Sequence, residues 1–141
     1  MDIQIFAVLP GGSIADPLAP YRARSQSATM TKHLPHGDQA ILDIRKIEDY
    51  CLSPSHPRGR HKARVFREAL DLQRSDAAWL RDVLLEAARS GEVSPIAVDP
   101  WGTHWRVDAA IRRQGKSAVV RSIWIVRTGE NVPRFVTCWV L

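Results

Sequence analysis

The sequence predicts an α+β domain in which about three N-terminal helices pack on a four-stranded antiparallel meander sheet. Three observations carry that prediction. Apolar residues recur at helical spacing between Asp43 and Gly91, the period changes to two from Val93 onward, and the two patterns fill separate blocks without alternating. Sequential strands joined by short loops pair as antiparallel neighbours, and helices that precede them cover one face of the resulting sheet. A chain of 141 residues suits one compact domain, placed here at residues 34–141, and 45% apolar with 25% charged residues is a globular composition.

Residues 1–33 read as a poorly ordered extension. After one short strand within residues 3–9, Pro10, Gly11, Gly12, Pro17 and Pro20 supply turn chemistry, and residues 25–31 offer little to bury. The short apolar run at the N-terminus lacks a basic stretch before it, so a signal peptide is not expected. No apolar run approaches the roughly 20 residues that span a bilayer, so a membrane partner is not expected either.

The helical block divides in three. Asp43 is placed to cap a short helix carrying Ile44, Ile47, Tyr50 and Cys51, which Pro54 ends. The turn Ser53-Pro-Ser-His-Pro-Arg-Gly leads into a second helix over about residues 60–70, with Ala63, Phe66, Ala69 and Leu70 on one apolar stripe. Ser75 is read as the cap of a third helix, whose stripe is Leu80, Val83, Leu84, Ala87 and Ala88 and whose stop is Gly91. The strands follow: a short one near residues 96–98, then 103–111, 117–127 and 134–141. In the second of these, Trp105, Val107, Ala109 and Ile111 face the core while His104, Arg106 and Asp108 face away.

Residues 51–67 are the chemically informative stretch, with five Lys and Arg side chains, two histidines and no acid. Lys62 lies one turn before Phe66 at the edge of the apolar stripe, where a cation aimed toward the sheet is costly unless its charge is used. Gly59 precedes the helix, so the helix N-terminus, Arg58, Arg60 and His61 together make a seat for a phosphate. His61 beside a phosphate could move protons near neutral pH. On the sheet, Arg121 interrupts the face of Val119, Ile123 and Ile125, with Asp108 as an alternative partner, and Thr137 sits between Phe135 and Trp139.

The net charge of +5 favours polyanionic partners such as nucleic acid. Cys51 and Cys138 form neither a CxxC pair nor a Cys/His cluster, so neither a metal nor a cofactor is expected. They read as two buried, reduced thiols of a cytoplasmic protein, with apolar surroundings that raise their pKa values. The chain has no phosphate-binding glycine loop, GxSxG elbow or HExxH helix.

Leu34-Pro-His-Gly-Asp-Gln-Ala-Ile-Leu and the stretch from Lys46 to Phe66, with its His-Pro-x-Gly-x-His-Lys core, resemble an uncharacterised family of small bacterial domains. The likeness continues through Val119-Val-Arg-Ser-Ile-Trp-Ile-Val-Arg and the ending Pro133-Arg-Phe-Val-Thr-Cys-Trp-Val-Leu, so it covers residues 34–141. Such domains are similar to C-terminal modules of bacterial polymorphic toxins and to toxin–antitoxin components. The helices-then-strands order resembles the barnase–EndoU–colicin–RelE ribonuclease superfold. What the resemblance implies is a metal-independent endoribonuclease, a toxin held in check by a cognate antitoxin or immunity protein. In that reading His61, Lys62, Arg121 and Thr137 are the catalytic residues, and Arg58, Arg60, Arg64, His104 and Arg106 hold the RNA. The competing expectation is a non-catalytic binding module that presents the same basic face to an acidic partner.

Overall fold

The computed structural model describes residues 33–141 together with the two-residue strand β1, Gln4–Ile5. The expected poorly ordered extension at residues 1–33 otherwise lies outside the described residues. At its boundary, the His33 ring contacts the Gly91 carbonyl, Nδ1 to O 3.0 Å.

Two α-helices precede the meander: α1, Arg60–Leu70, and α2, Ala77–Ser90. The meander consists of β2, Val93–Asp99, β3, Gly102–Arg113, β4, Lys116–Arg127, and β5, Pro133–Val140, all antiparallel. β1 adds a fifth strand on β3, beside Ala109 and Ala110, next to the stretch occupied by β2. Among the described residues no helix is long and apolar enough to cross a membrane.

The expected stripes form the core. Ala63, Phe66 and Leu70 of α1 are buried, as are Leu80, Val83, Leu84, Ala87 and Ala88 of α2. All of these but Ala63 meet Trp105, Val107, Ala109 and Ile111 of β3, Val120 and Trp124 of β4, and Phe135 and Cys138 of β5 in one cluster. The polar groups of Ser122 and Trp124, drawn into this core, are satisfied. The Trp124 indole donates to Ser122 Oγ at 2.9 Å, and the Ser122 hydroxyl donates to the Val107 carbonyl at 3.2 Å.

Three local expectations are corrected. The first helix starts, as expected, after Asp43, whose carboxylate accepts the Arg45 amide at 3.0 Å, but its body is a π turn, Ile47–Cys51, closed by the Leu52 amide on the Ile47 carbonyl at 2.8 Å. That turn buries both Ile47 and Cys51 and leaves Tyr50 half-buried beside them. Ser75 is not the cap of α2. The Asp76 carboxylate reaches back to the Gln73 amide at 2.9 Å, and this box organises a 3₁₀ turn, Arg74–Asp76, ahead of the helix. β2 also begins earlier than expected and runs through Pro95, because it is an edge strand whose register shifts between Pro95 and Ala97.

Turn chemistry holds the remaining register. Gln114 and Gly115, at φ 50° and 80°, make the two-residue loop between β3 and β4, the left-handed pair that matches strand twist. Gly59 has a different task. A Cβ built on it would stand 2.1 Å from the Tyr50 carbonyl oxygen, so the entry of α1 packs directly on the backbone of the π turn. Because that contact is backbone on backbone, Gly59→Ala is expected to cost about 2–3 kcal/mol, within the range for overpacked sites. Urea denaturation followed by tryptophan fluorescence measures it.

Candidate functional site

The His56–Lys62 stretch is shaped first by its own hydrogen bonds. His56 Nδ1 accepts the amides of Arg58, at 3.0 Å, and Gly59, at 2.9 Å, while the His56 carbonyl accepts the amide of Arg60 at 2.9 Å. The His56 ring also meets Tyr50 edge-on, with centroids 4.7 Å apart. The expected phosphate seat at this helix start is narrowed accordingly, since the amides of Arg58, Gly59 and Arg60 are already engaged.

Lys62 reaches from α1 to the edge strand β5. Its Nζ donates to Thr137 Oγ1 at 3.0 Å and lies 5.1 Å from the Tyr50 ring centroid and 5.2 Å from that of Trp139. Both rings are within the range at which an aromatic quadrupole attracts a cation. Among the described residues no carboxylate pairs with Lys62. One of its three N–H donors is used by Thr137, and the charge is steadied by π faces, not neutralised. Lys62 stands between two surface grooves. One, about 470 Å³, is lined by His61, Lys62, Val65, Trp139 and Val140; the other, about 330 Å³, by Lys46, Tyr50, Lys62, Val136 and Thr137. Lys46 adds a second cation there, donating to the Phe135 carbonyl at 2.8 Å.

Beneath Lys62 the two cysteines meet, which the sequence gave no reason to expect. The Cys51 thiol is lowered to about 7 by hydrogen bonds from the Cys138 thiol and amide, by the Lys62 charge and by the Thr137 hydroxyl, all acting against burial. Cys138 moves up, chiefly through burial and then through Cys51. Burial raises both thiols, but at Cys51 the contacts that lower it outweigh burial, and the expectation for Cys51 is corrected. Its neighbours supply donors and a positive charge that an apolar wall does not. Thr137 is the joint of this arrangement, accepting from Lys62 while its own hydroxyl serves Cys51.

The other expected site residues are distributed as follows. His61 is exposed and lines the groove beside Lys62, and Arg58, Arg60 and Arg64 are exposed at the start and first turns of α1. Arg121 is held by Asp108 through a two-pronged pair, Nε to Oδ1 2.8 Å and Nη2 to Oδ2 2.9 Å. The Asp108 side chain is 1% exposed and that of Arg121 21%, and the pair raises the Arg121 pKa. Strand alternation puts Arg121, Asp108, His104 and Arg106 on the sheet face away from the helices. His104 faces Asp99 there, Nδ1 to Oδ2 3.5 Å. The structure thus brings Lys62, Thr137 and His61 together at the β5 edge. Arg121, His104 and Arg106 lie on the sheet face away from the helices, where the ladder sets Trp139 directly opposite Arg121, whose guanidinium is committed to Asp108. Tyr50 and Trp139 were missed as partners of Lys62. They lie far apart in sequence, and only the docking of the π turn against β5 unites them.

An α+β domain with a half-buried, aromatic-flanked cation at the edge of its sheet is the class that this geometry defines. Residues 33–141 match the model of a family described as a domain of unknown function (DUF6883), and the chain belongs to that family. No curated protein and no solved structure matches it. Among the described residues no group of three or more His, Cys, Asp or Glu side chains could hold a metal ion.

Two outcomes follow from these contacts. Arg121→Ala leaves a buried carboxylate alone and is expected to destabilise the fold by about 3 kcal/mol, whereas pairing it with Asp108→Ala should recover part of that loss. Chemical denaturation of the three variants reads the difference. The ultraviolet absorbance of thiolate should rise with a midpoint near the value of about 7 given for Cys51. Lys62→Ala should move that midpoint upward, because it removes a positive charge that favours the thiolate.

Proposed function

We propose that the domain binds RNA along the β5-facing flank of α1 and cleaves it without a metal ion, acting as a toxin in the cytoplasm. The observation that carries this reading is Lys62, a half-buried cation that two aromatic rings and a hydroxyl position with no neutralising carboxylate among the described residues. A charge held in that way is available to a phosphate. In the reaction the ribose 2′-oxygen bonds to phosphorus and the bond to the 5′-oxygen breaks, leaving a cyclic phosphate and a 5′-hydroxyl. One proton leaves the 2′-hydroxyl and one reaches the 5′-oxygen. His61, in the adjoining groove, is assigned one of these transfers, and Lys62 meets the charge that grows on the phosphorane. Thr137 holds Lys62 in place, and Arg58, Arg60 and Arg64 bind the flanking phosphates. A cognate antitoxin or immunity protein would cover the same basic flank.

The second reading, a binding module without catalysis, is favoured by the Arg121–Asp108 pair. It commits to a buried acid one of the two cations expected at the reacting phosphate.

Incubating the full chain with total RNA in the presence of EDTA separates the two. Cleavage is expected, with His61→Ala and Lys62→Ala each lowering its rate by about 10²-fold or more. Lys62→Arg should not restore it, since a planar guanidinium differs from an ammonium in shape and reach between Tyr50 and Trp139. RNA that binds but stays intact moves the protein to the second reading. In either case log affinity should fall with log salt at a slope of about −0.7 per single-strand phosphate contact.

A further inference from the structure

A cavity of about 720 Å³ lies on the flank of α1 opposite Lys62, between that helix and the turn at Gln73, Arg74 and Ser75. Its size falls in the range of small-molecule sites, about 300–1,000 Å³. Arg60, Arg64 and Arg67 recur at spacings of four and three along the helix, so their side chains share one face and one wall. Arg74 forms the facing wall. Its guanidinium is set in place by the Glu48 carbonyl and the Asp49 carboxylate, each at 3.0 Å. Leu52, Pro54, Ala63 and Leu72 make an apolar floor, and among the described residues no acidic side chain lines the cavity. Among the described residues no carboxylate pairs with Arg60 or Arg67, and Arg64 has only Glu68, 3.7 Å away.

Arg60, Arg64 and Arg67, faced across an apolar floor by Arg74, which Asp49 and Glu48 already pair, suit a ligand with a flat, weakly polar body and an anionic group. Guanidinium planes stack on bases and take phosphate oxygens in pairs, which an ammonium does not do. His61 lines both this cavity and the groove at Lys62, so the two adjoin at the first turn of α1. We propose that the cavity is a nucleotide subsite. It seats the base over Leu52, Ala63 and Leu72 and a phosphate on the arginines, for the nucleotide adjoining the one held at Lys62. The inference rests on the RNA reading above and adds to it a place for one base.

The test is calorimetric titration of the full chain with adenosine monophosphate, adenosine and inorganic phosphate as separate ligands. The monophosphate should bind at least about tenfold more tightly than either fragment, because only it uses floor and walls together. Arg67→Glu should weaken that binding by a factor on the order of ten. Arg112→Glu, the same charge change at an exposed position of β3 outside the cavity, should leave it unaltered. A monophosphate that binds no better than inorganic phosphate overturns the subsite, as does an Arg67→Glu variant that binds like the parent. If RNA is cleaved while the monophosphate fails to bind, the subsite falls and the RNA reading stands. A monophosphate bound with the expected Arg67 dependence by a protein that ignores RNA supports the nucleotide site and removes the RNA reading alone.

Discussion

An edge strand leaves a row of amides and carbonyls unpaired, and in this domain the start of that row on β5 is taken up by the segment that begins at Ile41. Ile41 pairs with β5 through two backbone bonds, its amide to the Pro133 carbonyl and its carbonyl from the Phe135 amide, each 2.9 Å. Lys46 then takes the Phe135 carbonyl, and Cys51 meets the Cys138 amide. Lys62 adds a side-chain contact to the same strand, on the Thr137 hydroxyl. This covering depends on the π turn and α1 lying close enough for one segment to follow the strand. Gly59 permits that approach, with its Cα against the Tyr50 carbonyl and no room for a side chain.

The same covering creates the chemistry. Lys62 is brought to β5 beside the rings of Tyr50 and Trp139, where its charge is positioned without being cancelled. The Thr137 hydroxyl accepts from Lys62 and serves Cys51, so ammonium, hydroxyl and thiol pair form one polar unit against the core. In such surroundings electrostatic interactions are stronger than in water, and a change at one member is felt by the others. The lowered Cys51 and the raised Cys138 are two expressions of that coupling.

The basic residues are consequently not one patch. Arg60, Arg64 and Arg67 follow the outer side of α1, Lys46 and Lys62 its strand side, and Arg121 the far face of the sheet with Asp108. Asp108 shows how alternation misleads. It occupies a position of the kind that usually meets water, yet its side chain is 1% exposed, because Arg121 stands opposite it in the ladder and satisfies both carboxylate oxygens.

Periodicity alone determined the order of helices and strands, the stripe Ala63–Phe66–Leu70 and the inward face Trp105–Val107–Ala109–Ile111, because burial on one side imposes a repeat that survives in the chain. The concentration of cations around His61 and Lys62 was legible for a similar reason, since these residues share one short segment. Local caps were less legible. Ser75 and Asp76 are both capping residues, and only the reach of Asp76 to Gln73 chose between them. What the tertiary structure decided was every pairing across sequence distance. Thr137 lies 75 residues from Lys62, and Cys138 and Trp139 arrive with it. No repeat in the sequence encodes which side chains a strand edge and a helix will hold against each other; that is fixed by the docking of the π turn and α1 on β5.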